Sequence, residues 1–269
     1  MIRYALSSEK EILEDVFNIC FPGEKKFAKW FFDKVFNYRN TLVYEENGTI
    51  IAALQMIPVK LTDGEKTYTS SYLYGVGTLP EYRSQGIMGK VIEYSFEEDK
   101  KNGTDYSILI VQEDSLLDYY SRFGFEKYFS VSKKVFDTDE NIINFRPVER
   151  KDFAAINKVY EDNCAGRLHA VRDERHCDAL YDMYAETSFV HETDGVIDSY
   201  VFGYFTENSF NATECIGING LALANSVAVY HSKKQYKCTF PGNEKYIGMI
   251  KNINESIKNI EGYINLLYN

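Results

Sequence analysis

The sequence predicts an α/β (α+β) fold in which a mixed, mostly antiparallel sheet is flanked by helices, followed by a second, diverged copy of the same plan. Three observations carry this expectation. Apolar residues alternate between strand-like runs and helical spacing through the first 136 residues. Asn47-Gly48 stands between two β-rich runs, a two-residue hairpin signal. The pattern that opens the chain, Ile2-Arg3-Tyr4-Ala5, Glu9, Ile12-Leu13, Val16-Phe17, returns 143 residues later as Phe145-Arg146-Pro147-Val148, Asp152, Ala155-Ile156, Val159-Tyr160. With 269 residues the chain has room for two domains. They are expected at 1–136 and 145–269, joined by a polar link at 137–144 that begins Asp137-Thr138-Asp139-Glu140-Asn141.

The elements follow in order. Ile2 to Leu6 reads as a strand, and Ser7-Ser8-Glu9 as a helix start, a serine cap with acidic residues in the first turn. A second helix is expected over Lys26 to Tyr38. Strands are expected at Thr41 to Tyr44, Thr49 to Val59 and Thr67 to Leu79. Gly86 to Lys101 reads as a helix closed by Asn102-Gly103. A buried strand at Asp105 to Gln112, a short helix at Ser115 to Arg122 and a strand at Tyr128 to Phe136 complete the first half.

Composition narrows the function classes. A net charge of −10 argues against a nucleic-acid partner or an anionic membrane surface, because phosphate binding needs a dense basic field, and it favours a cationic partner. Five cysteines without CxxC spacing fit neither a disulfide framework nor a zinc cluster. The four histidines lack a metal-ligand spacing, so no metal is expected. The N-terminus is polar within a few residues and no run of about 18 apolar residues occurs, so a cytoplasmic protein without a membrane span is expected. A homo-oligomer is compatible with all of this.

The most informative stretch is Tyr74-Gly-Val-Gly-Thr-Leu-Pro-Glu-Tyr-Arg-Ser-Gln-Gly-Ile-Met-Gly-Lys90. Small residues crowd a strand-to-helix turn and leave backbone N–H groups bare at a helix N-terminus, and Arg83 adds a fixed charge; both suit a phosphate. The spacing is neither a Walker loop nor a dinucleotide fingerprint. A second element, Leu117-Asp-Tyr-Tyr-Ser-Arg-Phe-Gly-Phe125, follows about thirty residues later.

The two segments together resemble the GNAT superfamily of acetyl-CoA-dependent acetyltransferases. Its Arg/Gln-x-x-Gly-x-Gly/Ala motif stands here as Arg83-Ser-Gln-Gly86-Ile-Met88, and its closing Tyr-x-Lys/Arg-x-Gly-Phe as Tyr120-Ser-Arg-Phe-Gly-Phe125. The resemblance spans residues 1 to about 136 and is nearest to the enhanced-intracellular-survival (Eis-like) branch, in which Thr-x-Pro-x-x-Arg leads into the turn. A second GNAT-like domain without its own cofactor site follows in that branch. The resemblance implies that Val76, Gly77 and Thr78 offer backbone hydrogen bonds to the pantetheine arm of acetyl-CoA. It implies that Arg83, Ser84, Gln85, Gly86, Ile87, Met88 and Gly89 hold the pyrophosphate. Tyr120 would protonate the leaving thiolate, a phenol of pKa about 10 serving a thiol of about 8–9. The implied reaction is direct acetyl transfer to a primary amine of a small molecule or peptide, the amine cationic in keeping with the acidic chain.

Two positions depart from the family pattern. Glu113 stands where Asn is common, and Met88 where Gly or Ala is usual, with Gly89 following. Candidate general bases are Glu113 and Asp114. In the related branch that role falls to a C-terminal carboxylate supplied by a third, sterol-carrier-like domain, for which no room is expected here; whether the carboxylate of Asn269 reaches the site is left open. Phe27, Trp30, Phe31, Tyr72 and Tyr74 are candidate walls for the acceptor. The alternatives are a non-catalytic acyl-CoA-binding regulator, and a scaffold in which the glycine-rich turn merely packs.

Overall fold

The computed structural model describes residues 1–266. In chain order it contains β1 (Ile2–Tyr4), α1 (Lys10–Cys20), α2 (Lys25–Lys34), β2 (Thr41–Glu46), β3 (Thr49–Thr62), β4 (Thr67–Thr78), α3 (Ile87–Lys101), β5 (Tyr106–Ile110), α4 (Ser115–Ser121) and β6 (Glu126–Asp137). There follow β7 (Arg146–Pro147), α5 (Phe153–Cys164), β8 (Leu168–Ala170), α6 (Glu174–Tyr184), β9 (Ser188–Thr193), β10 (Val196–Phe205), β11 (Ser209–Gly217), α7 (Gly220–Tyr230), β12 (Gln235–Pro241), β13 (Lys245–Asn252) and β14 (Gly262–Tyr263). The residues divide into two compact units. The first holds Met1–Leu61, Thr67–Lys127 and Gly248–Lys258, and the second holds Thr62–Lys66, Tyr128–Ile247 and Asn259 onward.

In the first unit the strands lie in the order β1-β2-β3-β4-β5, and the late-chain stretch Gly248–Asn252 of β13 closes the row beside β5. The mixed, mostly antiparallel sheet expected from the sequence is present: β1–β2, β2–β3 and β5–β13 are antiparallel, and β4–β5 is parallel. The Asn47-Gly48 hairpin forms as the dipeptide predicts. Both residues take positive φ, 50° and 80°, the backbone twist that a two-residue turn between strands requires. Helix α3 ends at Lys101, with Asn102 as its C-cap and Gly103 left-handed at φ 69°. Leu13, Phe31, Ile51, Val91 and Ile108 are almost wholly buried around the sheet, each contributing about 1.5–3 kcal/mol of transfer free energy.

The second unit repeats this plan. Its main row runs β6-β12-β11-β10-β9-β7 with β11–β12 parallel, and the short β14 adds parallel pairings to β6 and β8. The 143-residue offset seen in the sequence is matched in space. The 3-10 turn Ser7–Glu9 before α1 corresponds to Arg150–Asp152 before α5. Arg3 grips Glu9 through two nitrogens (2.6 and 2.9 Å) and also binds Glu45. Arg146 grips Asp152 in the same way (2.6 and 3.0 Å) and also binds Glu192. In each unit a bidentate guanidinium thus ties a strand, β1 or β7, to the turn that opens the following helix and to the strand paired beside it, β2 or β9. The turn Asp194-Gly195 likewise repeats the paired positive φ of Asn47-Gly48.

The core of the second unit contains a buried ion pair. Arg172 meets both carboxylate oxygens of Glu214 at 2.6 and 2.7 Å, the Tyr200 and Tyr263 hydroxyls donate to the same carboxylate, and the guanidinium lies 3.8 Å from the Tyr160 ring centre. A carboxylate this deeply buried is tolerable because every oxygen is bonded.

Asp99, on α3 of the first unit, is the opposite case. It is 2% exposed, and burial raises its pKa to about 7, with the polar groups of Ser71 and Thr104 offsetting only part of the cost. A carboxyl whose folded pKa lies above its unfolded value makes the folded state bind the proton more tightly. Stability is therefore fully present at low pH and lost as pH rises from about 4 through 7. Asp99→Asn should raise the melting temperature at pH 8, by up to about 4 kcal/mol of stability, and much less at pH 4. Thermal melts of both proteins at the two pH values check this; equal differences at both would refute it.

Candidate active site

The site of the first unit is built where two parallel strands part. β4 and β5 are in register from Ser70–Tyr106 to Tyr72–Ile108 only. β4 then continues to Thr78 without β5 beside it, opening a V between the strand ends. Val76, Gly77 and Thr78 form one arm of that V. Gly77 has no room for a side chain: a Cβ there would sit 3.0 Å from the Cβ and Sγ of Cys20 at the end of α1. Gly75, at φ 58°, is pressed in the same way against the Phe17 ring.

After the strand, Pro80–Tyr82 makes a 3-10 turn, Ser84 and Gly86 adopt left-handed φ of 62° and 73°, and α3 begins at Ile87. Arg83 is exposed, and its Nε donates to the Thr78 carbonyl at 3.0 Å, tying the loop back to the strand end. The backbone N–H groups of Ser84, Gln85, Gly86, Ile87, Met88 and Gly89 make no hydrogen bond among the described residues; the first bonded amide of the helix is Lys90, to Gly86 O. Six successive free donors, at the positive end of a fifteen-residue helix and beside a guanidinium, form a site for an anion. The departure at Met88 is absorbed by packing, since its side chain lies against the apolar core while its amide stays in the loop.

The two sequence motifs touch. A Cβ on Gly89 would lie 3.2 Å from the Phe123 ring, so α3 packs closely on the segment that follows α4. Tyr120 is buried in the cluster that also contains Leu117, Phe125 and Met249, against which Val76 and Met88 pack. Its ring stands edge-on to Tyr119 (5.1 Å) and Phe125 (6.0 Å). Burial, with a lesser contribution from Tyr119, pushes its phenol well above the ordinary value and keeps it protonated.

Of the acceptor-wall candidates, Phe27, Phe31 and Tyr74 come together, Phe31 and Tyr74 at 5.1 Å between ring centres and Phe27 and Tyr74 at 6.5 Å. Trp30 lies beside Phe27, and Tyr72 is buried beneath Tyr74 at 5.6 Å. Phe31 is itself fully buried, a core residue more than a wall. Sequence reasoning missed Phe17 and Phe21 at the α1 end, whose rings meet tilted at 4.7 Å, with Phe17 6.3 Å from Tyr74; the helical spacing of Phe17 marked it only as core. It also missed Lys251, on β13, whose ammonium lies 2.7 Å from where a Cβ of Gly124 would be and 4.9 Å from the Phe96 ring centre.

Glu113 and Asp114 are solvent-exposed at the start of α4, with Ser115 Oγ donating to Glu113 at 3.4 Å. All four histidines belong to the second unit. Asn269 lies outside the described residues. Among the described residues no group of three or more His, Cys, Asp or Glu is arranged to hold a metal, and no helix is long and apolar enough to cross a membrane.

Residues 1–128 match the sequence model of the acetyltransferase (GNAT) domain. This stretch is a GNAT acetyltransferase domain. Structural likeness extends beyond it into the second unit. A probable N-acyltransferase from Enterococcus faecalis shares the fold with a TM-score of 0.74 at 12% identity, over 94% of this chain and 72% of its own. A GCN5-related N-acetyltransferase from Anabaena variabilis gives 0.72 at 14%, over 94% and 73%. Eis1 from Mycobacterium abscessus gives 0.67 at 14%, over 94% and 74%. No curated protein sequence matches the chain. The GNAT resemblance read from the motifs therefore holds, and the fold over most of the chain is shared with these neighbours, Eis1 among them.

The geometry of the GNAT domain predicts that inorganic pyrophosphate stabilises it. Millimolar pyrophosphate should raise the melting temperature of the wild type by a few degrees through mass action. The shift should vanish in Arg83→Glu, a substitution at an exposed position that leaves the unliganded protein folded.

Proposed function

We propose that this protein transfers an acetyl group directly from acetyl-CoA to a primary amine of a small molecule or peptide. The observation that carries the reading is the run of six unbonded amides from Ser84 to Gly89, set between a parted strand and the start of α3 beside Arg83. In this reading the loop holds the pyrophosphate of acetyl-CoA. The free edge of Val76–Thr78 pairs with the amides of the pantetheine arm as an added strand would, and the thioester reaches toward Tyr120.

The chemistry balances without a covalent enzyme intermediate. The neutral amine nitrogen attacks the thioester carbonyl carbon, the tetrahedral adduct collapses, the C–S bond breaks, and the thiolate takes the Tyr120 hydroxyl proton. The phenoxide then recovers a proton released by the acylated nitrogen. Holding both reactants in one cleft supplies much of the rate. With no histidine in the GNAT domain, removal of the proton from the incoming ammonium falls to an exposed carboxylate such as Glu113 or Asp114, or to solvent. The charge of −10 supports a cationic acceptor drawn toward an acidic protein. All five cysteines are unpaired, which supports a reducing, cytoplasmic setting.

Release of free thiol from acetyl-CoA, followed across a panel of polyamines, aminosugars and lysine peptides, tests the reading. Amine-dependent thiol release is expected. Tyr120→Phe should lower kcat by about a hundredfold or more while changing the KM for acetyl-CoA little. Binding of acetyl-CoA with no thiol release for any amine would favour a non-catalytic acyl-CoA-binding regulator.

A further inference from the structure

The second unit repeats the parting of strands that makes the first unit's site, and a cavity lies in it. β11 and β12 run parallel from Ser209–Gln235 to Ala212–Cys238. β11 then continues to Gly217 and β12 to Pro241 with no further pairing between them. The gap holds a cavity of about 240 Å³ walled by Cys215, Ile216 and Gly217 from β11, Gly220 and Leu221 from α7, and Phe240 and Pro241 from β12. Asn163 and Arg167 complete its rim.

The differences from the first unit define what the cavity can take. Eight residues, Leu79 to Gly86, separate β4 from α3, and they carry the anion loop. Only Ile218 and Asn219 separate β11 from α7. The Asn219 amide is already bonded to Ser199 Oγ at 2.8 Å, and Arg167 is paired with Glu261 at 2.6 Å. The slot between the strands is therefore kept, while the loop that would hold a diphosphate is absent. The Thr213 carbonyl, just past the last pair, is taken by Asn265 Nδ2 at 2.8 Å, so the edge left to the cleft is Cys215–Gly217, which offers backbone donors and acceptors among apolar side chains. Leu221, which lines the cleft, stays 42% exposed. An unpaired edge in an apolar slot recognises an extended amide chain. A cleft of about 240 Å³ takes a short stretch of such a chain.

We propose that this cleft of the second unit binds a short, uncharged, amide-bearing chain with an apolar end, and binds it without turnover. Turnover is denied by the core beside it. In the first unit the position two residues beyond the last β4–β5 pair is Tyr74, among half-buried rings. Its counterpart beyond the last β11–β12 pair is Glu214, fully buried and locked to Arg172, Tyr200 and Tyr263, so no room for a second reactant is left there.

The test uses the whole protein with Ile, Leu and Val methyl groups labelled for NMR and pantetheine as the probe. Saturable shifts of the Ile216 and Leu221 methyls are expected. In Leu221→Trp, which fills the cleft from a partly exposed position, the Ile216 shift should be lost while the response of Val76 in the first unit is unchanged. Silence of Ile216 and Leu221 under pantetheine, whatever Val76 does, would overturn the proposal, as would an Ile216 shift that persists in Leu221→Trp. Because Val76 reports the first unit separately, failure here and failure of the acetyltransferase reading give different spectra.

Discussion

The structure of the first unit turns on a parallel strand pair that is allowed only three registered residue pairs before it parts. Parallel strands normally gain by extending their ladder, since each unpaired backbone group that is buried costs free energy. Here β4 runs on alone to Thr78, and its free edge makes sense only as a surface awaiting a partner. The other features of the site answer to that opening. Gly75 and Gly77 let α1 press against the lone arm of β4, Gly89 lets α3 seat on Phe123, and Gly124 makes way for Lys251. Adding a side chain at Gly77 or Gly89 would force apart elements that fix the width of the V.

The same device occurs twice, and the two copies divide along physical lines. Both keep the bidentate arginine that anchors the first strand to the first helix, Arg3 with Glu9 and Arg146 with Asp152. Both keep the paired left-handed hairpin turn. What changed is the connection after the central strand and the residue facing the core behind it. Shortening that connection removed the anion loop. Placing Glu214 where the first unit has Tyr74 required a buried cation, supplied by Arg172, and two phenols to complete its bonds. An ion pair so enclosed adds little net stability but penalises any arrangement that separates its partners.

Much of this was legible in the sequence because it is local. The Asn47-Gly48 turn, the Asn102-Gly103 helix end and the Arg83–Gly89 turn each depend on residues a few positions apart, and each forms as its residues dictate. The repeat was legible from one strand and one helix because Arg146 and Asp152 were kept together with their spacing. The placement of β13 was not. Nothing in Lys245–Asn252, or near it in sequence, says that Gly248–Asn252 pairs with β5. Lys251 was invisible for the same reason, since its meaning comes from Gly124 and Phe96 across a long-range pairing. The Arg172–Glu214 pair was hidden because a lone arginine and a lone glutamate look like surface residues until their burial is known. Glu113 and Asp114 stand exposed at the head of α4, where capping and proton transfer call for the same residue types.

The central claim is that the bare amides from Ser84 to Gly89 hold the diphosphate of acetyl-CoA. Because those amides have no acceptor in the free protein, they should exchange with solvent at nearly unprotected rates. Hydrogen exchange followed by mass spectrometry, with and without saturating acetyl-CoA, reads this directly. The account predicts marked slowing in peptides covering Val76–Thr78 and Ser84–Gly89, and none at the α7 start, Ile218–Ala222. Unchanged exchange through Ser84–Gly89 in the presence of bound acetyl-CoA would contradict it.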